Sequence, residues 1–154
     1  MLITNQVKTL KKYFYPCLGG VLGGISVATH FWLIFMPISL FILWNGSERR
    51  IANFFWGFFF ILMSHSWLYD LHPLTWLGFS WLASLIVTIS ILLFCAFLGG
   101  LLVYLWGLLV EMILRKENVF KMKILPLTVK VIFLSLIWGI GELILSQTPF
   151  FWIG

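Results

Sequence analysis

Residues 79–114 run for 36 positions with one charged side chain, Glu111. A helix that is apolar on every side needs apolar surroundings on every side. That requirement narrows the fold more than any other feature of the chain. As one helix the run would extend ~54 Å, against ~30 Å for the hydrocarbon core of a bilayer. Two crossings would need about 40 residues plus a turn, and would carry Arg115 and Lys116 to the opposite side. We therefore expect one long tilted helix that projects past the bilayer. Glu111 and Arg115 would then pair at i, i+4 near the water.

The remaining sequence follows the same pattern. The chain has 154 residues, enough for one domain; 62% are hydrophobic and 10% charged, with a mean hydropathy of +1.06. Soluble domains carry about 25% charged residues, so the composition indicates an integral membrane protein. The spacing predicts an all-α polytopic bundle with five spans, at 13–28, 31–44, 51–68, 79–114 and 127–146. The third span is uncharged over 18 residues, or ~27 Å of helix. Pro37 falls inside the short second span, where a kink or local thinning would accommodate it. Residues 1–28 also fit a signal peptide, with Lys8, Lys11 and Lys12 before an apolar core. The membrane-helix reading is preferred, because no soluble domain follows.

Gly19, Gly20, Gly23 and Gly24 form two overlapping G-x-x-x-G registers in the first span. That face lets a second backbone approach closely. Phe59, in the third span, is expected to face lipid.

The ten Lys and Arg residues fall in four places: residues 1–12, the NGSERR loop at 45–50, the RKENVFKMK loop at 115–123, and Lys130. With five spans these share one side. The segments on the other side, 29–32, 69–78 and 147–154, contain neither Lys nor Arg. The positive-inside rule puts the N-terminus in the cytoplasm and the C-terminus outside it. The same clustering explains the net charge of +5 without nucleic acid, and no nucleic-acid-binding motif is present.

Chemistry-bearing residues gather where the third span ends: His65, Trp67, Tyr69, Asp70 and His72, then Pro73. His65, Tyr69 and His72 are spaced i, i+4, i+7, so a continuing helix would align them as a metal or proton-relay site. The alternative is a set of interface residues hydrogen-bonded to water and lipid headgroups. Pro73 favours the alternative, because the residue before a proline avoids the α region. Glu142 is the one acid well inside a span, and such a carboxylate is either functional or held by a structural hydrogen bond. It follows Trp138 in the segment Trp138-Gly139-Ile140-Gly141-Glu142. Cys17 and Cys95 sit in apolar stretches, where isolated cysteines act as small hydrophobes. Asn45-Gly46-Ser47 matches a glycosylation acceptor, but the topology puts it on the cytoplasmic side. No nucleophile–base pair, phosphate loop, metal ligand set or cofactor motif is present.

The segment WGFFFILMSHSWLYDLHPLTWLG (56–78) resembles a stretch of the bacterial apolipoprotein N-acyltransferases. There a Gly- and Phe-rich helix leads to a W-x-Y motif, here Trp67 and Tyr69, and then to a small loop with glycine. The glycine-rich hairpin followed by an arginine pair, residues 19–50, is similar to that family too. Trp138 and Glu142 match its W-x-x-x-E segment, and Trp152 the tryptophan of its G-F-P-W. The match departs at QTPFFW, where Phe151 stands in place of the family's proline. The resemblance implies acyl transfer from a phospholipid to the N-terminal cysteine of a diacylated lipoprotein, by a thioester route in the bacterial inner membrane. Full-length members have eight spans and a nitrilase-like periplasmic domain that supplies a Glu-Lys-Cys set. No such domain occurs in these 154 residues, and neither cysteine matches its nucleophile. The expectation is the N-terminal membrane part of such an enzyme, truncated or half of a split enzyme, without catalytic residues. Trp67, Tyr69, Asp70, His72, Trp138, Glu142 and Trp152 would line lipid access to a catalytic domain supplied by a separate nitrilase-like chain. The alternative is a small non-enzymatic membrane scaffold.

Overall fold

The computed structural model describes residues 2–29, 31–46, 50–115 and 127–147. Among them the regular structure is entirely helical. The helices are α1 (Leu2–Ala28), α2 (Trp32–Gly46), α3 (Arg50–Ser64), α4 (Trp81–Arg115) and α5 (Leu127–Ser146). Two short 3-10 segments, Ser66–Leu71 and Thr75–Leu77, join α3 to α4. From Trp81 onward the apolar run thus lies in one continuous helix of 35 residues, Trp81–Arg115. Among the described residues, one helix is long and apolar enough to cross a membrane, over Trp81–Met112. Tyr13–Ala28, Ile34–Asn45 and Arg50–Ser64 are shorter apolar helices.

Several boundaries differ from those expected. Helix α1 starts at Leu2, so the segment carrying Lys8, Lys11 and Lys12 is helical. Helix α2 reaches Gly46 and takes Asn45 out of the expected loop. Both tolerate an interior proline, Pro16 and Pro37. In apolar surroundings neighbouring helices can re-satisfy the backbone groups a proline frees.

The third helix stops at Ser64, four residues before the expected end at Leu68. The cause is polar competition with the backbone. The Ser64 hydroxyl lies 3.4 Å from the Ile61 carbonyl and 3.0 Å from His65 Nδ1. Such local bonds offer the chain an alternative to the α ladder. The Leu68 N–H then bonds the His65 carbonyl at 2.9 Å, and the chain continues as 3-10 helix.

Glycine sets the packing. A methyl group on Gly24 would meet the Phe60 carbonyl at 2.5 Å, and one on Gly20 would collide with the Trp56 carbonyl. The G-x-x-x-G face therefore lies directly on the α3 backbone, the close approach that small residues permit. The partner numbers rise together, so α1 and α3 are parallel. Gly19 and Gly23 look towards Ile42 and Ser39, so α2 runs antiparallel to α1. The Ser39 hydroxyl donates to the Gly19 carbonyl at 2.6 Å, and Trp56 Nε1 donates to the Ser39 carbonyl at 3.2 Å. These two bonds join all three helices. Phe59 packs at Gly20, where a Cβ would lie 3.0 Å from its own. Its expected lipid-facing position is corrected accordingly.

Helices α3 and α4 are zipped the same way. Gly57 faces Val103 and the Gly99 carbonyl, Gly100 faces the Phe54 carbonyl, and Gly107 faces Asn53. Numbers rise on α3 as they fall on α4, so the pair is antiparallel. Cys95 and Ala96 are fully buried against Ile61, Leu68 and Leu92. At the far end Arg50 Nε donates to Glu111 Oε2 at 2.6 Å. Glu111 therefore takes a partner 61 residues away, on α3; the Arg115 side chain expected to pair with it lies outside the described residues. The bundle thus has a charged end, at Arg50 and Glu111, and a loop end, at residues 65–80.

Candidate functional site

The loop end is built by α3, α4 and the two 3-10 segments between them. Ser80 starts α4: its hydroxyl accepts the Ala83 N–H at 3.3 Å, a helix N-cap. One turn later Ser84 is fully buried. Its Oγ accepts the Leu74 N–H at 2.6 Å and lies 2.8 Å from His72 Nδ1. The Leu74 bond fills one of the two acceptor sites on Ser84, so its hydroxyl can donate to Nδ1 or accept from it. Donation to Nδ1 places the neutral imidazole's proton on Nε2. The indole of Trp81 meets the His72 ring edge-to-face, with centroids 5.0 Å apart. His72 Nε2 is buried and has no hydrogen-bond partner among the described residues.

The other predicted residues of this end are not gathered around His72. Trp67, Tyr69 and Asp70 are exposed on the first 3-10 segment. His65 is buried beside Ser64, with Trp67 tilted 6.4 Å away. The 3-10 geometry explains the separation. Its turn is 3.0 residues, so the i, i+4, i+7 spacing no longer marks one face. The single helix face for His65, Tyr69 and His72, which Pro73 already disfavours, is not formed. Among the described residues no group of three His, Cys, Asp or Glu side chains could hold a metal. With Trp76 and Trp81 also exposed, this end presents aromatic rings and one carboxylate.

Trp138 lies elsewhere. It meets Trp106 of α4 edge-to-face at 5.7 Å and lines an apolar cleft with α2 and α3. Glu142 follows one turn later on α5. Trp152 lies outside the described residues. Sequence reasoning missed Ser84, whose one signal is a hydroxyl in the first turn of an apolar helix. It missed Trp81 too.

At the charged end, the Glu111 carboxylate holds the Arg50 pKa above its ordinary value, chiefly through their hydrogen bond. Cys17 and Cys95 are both free thiols.

No known family profile matches the chain, and no solved structure does. Curated proteins do. An apolipoprotein N-acyltransferase of Prochlorococcus marinus subsp. pastoris is 66% identical over 153 residues, 99% of this chain and 31% of that protein. A second, from another Prochlorococcus marinus strain, is 42% identical over 88% of the chain and 27% of its own length. A third, from Parasynechococcus marenigrum, is 39% identical over 89% of the chain and 28% of its own length. The chain spans less than a third of the length of these curated relatives. It is related by sequence to the apolipoprotein N-acyltransferases and corresponds to the N-terminal part of these longer proteins.

Proposed function

We propose that the chain is the membrane-embedded part of an apolipoprotein N-acyltransferase-like protein, and that it positions lipid without catalysing transfer by itself. It forms a five-span bundle in the bacterial inner membrane, with its N-terminus cytoplasmic. The observation that carries this reading is the 66% identity over 99% of the chain, joined to a bundle whose loop end carries aromatic rings but neither Lys nor Arg. Arg50 lies at the opposite end, and α1 runs parallel to α3, so the N-terminal lysines belong to that end as well. A membrane orients such a bundle with its basic end inward.

Acyl transfer needs an activated nucleophile, a base and stabilisation of the developing oxyanion in one place. The loop end offers none of these sets. It offers Trp67, Tyr69, Trp76 and Trp81, amphipathic rings suited to the headgroup level, and Asp70, which can accept hydrogen bonds. Beneath a nitrilase-like catalytic domain, these would hold phospholipid and a diacylated lipoprotein in register.

The test is reconstitution. The purified chain in phospholipid vesicles should not acylate a diacylated lipoprotein peptide. Addition of a nitrilase-like chain should yield transfer, weakened by Trp67→Ala or Glu142→Ala. Turnover by the chain alone, abolished by Cys17→Ser or Cys95→Ser, would overturn the proposal.

A further inference from the structure

The loop end holds one charge that the chain does not match. From Ile51 to Leu114 there are two acids, Asp70 and Glu111, and neither Lys nor Arg. Glu111 is held by Arg50, at the other end of the bundle. Asp70 is exposed on the first 3-10 segment and makes no hydrogen bond or ion pair among the described residues. The two histidines near it in sequence are engaged elsewhere, His65 with Ser64 and His72 with Ser84. An ionisable group at membrane level is costly unless it is paired or hydrated.

The backbone supplies this carboxylate with a neighbour. A 3-10 helix has 3.0 residues per turn and rises ~2.0 Å per residue, so side chains at i and i+3 eclipse. The geometry that separates His65, Tyr69 and His72 therefore brings Trp67 and Asp70 onto one edge, ~6 Å apart along the axis. Leu68 anchors the segment by its burial, whereas Trp67 is 56% exposed. An exposed indole thus stands one turn from an exposed carboxylate.

We infer that Trp67 and Asp70 form a site for an organic ammonium group, the carboxylate accepting its N–H donors and the indole meeting its charge. The inference deepens the lipid-positioning reading above and rests on it. A cation within about 6 Å of an indole centroid is attracted by the ring, and a charge-assisted hydrogen bond to the carboxylate adds to that. A phosphate is a poor ligand, because it would meet a like charge with no Lys or Arg to offset it. A single carboxylate is also far short of the oxygen ligands a hard cation takes. Two ligands of that reading can carry a primary ammonium: a phospholipid with an ethanolamine headgroup, and a diacylated lipoprotein with a free N-terminus. Both carry it beside apolar chains, at the level interfacial tryptophan favours.

Two pairs of probes isolate the ammonium from the rest of the ligand. The full chain is prepared with 5-fluorotryptophan in a nonionic maltoside detergent, and the Trp67 fluorine resonance is assigned by its loss in Trp67→Phe. One pair is a short-chain phosphatidylethanolamine and its N-acetyl derivative. The other is a diacylated lipopeptide with a free N-terminus and the same peptide N-acetylated. In one pair or both, the free amine is expected to shift the Trp67 resonance with roughly fivefold higher affinity than its acetylated twin. The pair that shows the preference identifies the source of the ammonium. Asp70→Asn should abolish the preference and Asp70→Glu should restore part of it. Trp76→Leu, at an exposed ring on the second 3-10 segment, should leave it unchanged. Equal affinity for free and acetylated forms in both pairs, or a preference that survives Asp70→Asn, would overturn the inference and leave the lipid-positioning reading intact. Failure of all four probes to bind would overturn both.

Discussion

The His72 imidazole and the Ser84 hydroxyl lie 2.8 Å apart and tie the loop after α3 to the first turn of α4. The same hydroxyl accepts the Leu74 N–H, so one buried side chain holds two points of the loop. Ser84→Ala would orphan a buried backbone donor, at a cost of about 1–3 kcal/mol. We expect a lower thermal midpoint and faster hydrogen exchange at the Leu74 amide. Unchanged exchange at Leu74 would mean the bond does not hold the loop.

The same contact makes the tautomer of His72 a test of the bond's direction. With Ser84 donating to Nδ1, the neutral His72 ring carries its proton on Nε2. Histidine-selective nitrogen NMR at a pH where the ring is neutral should show an acceptor-type Nδ1. In Ser84→Ala that preference should weaken. A donor-type Nδ1 in the unaltered chain would reverse the bond.

Gly20 and Gly24 predict an asymmetry among leucine substitutions. Gly20→Leu drives a side chain into the Trp56 carbonyl, and backbone cannot yield as a rotamer can. Overpacking in a close-packed interior costs about 1–3 kcal/mol, more where backbones must part. Phe94→Leu, at an exposed position on α4, should be tolerated. Monodisperse yield in detergent reads the difference, and equal yields would remove the glycine-face argument.

Arg50 and Glu111 should behave as a pair. Arg50→Ala leaves the largely buried Glu111 without its cation and should lower the thermal midpoint. The exchange Arg50→Glu with Glu111→Arg should recover part of the loss. If Glu111 relies on a neighbour on its own helix, Arg50→Ala will have no effect.

Orientation is open to a direct check. A reporter active only outside the cytoplasm should work when fused after Leu77 and be silent after Arg50 or Lys121. Activity at Lys121 would require the residues of α4 to cross twice.

The sequence by itself determined that the chain is helical, where its apolar segments lie, and that one face of α1 is bare of side chains. Each is a local property. Hydropathy needs a window of one helix, and Gly19 to Gly24 fall within two turns. It singled out His72 as well, because a histidine before a proline stands out beside an apolar run. Tertiary structure decided the partners. Ser84 is twelve residues from His72 and Glu111 is 61 from Arg50, and no periodicity connects either pair. The end of α3 at Ser64 belongs with these, since it depends on where Ser64 and His65 find hydrogen bonds. The cleft is the extreme case. Trp56, Trp106 and Trp138 come from three helices, and each reads singly as an ordinary membrane tryptophan. Only the backbone approach allowed by Gly57 and Gly99 sets the spacing that leaves room between them.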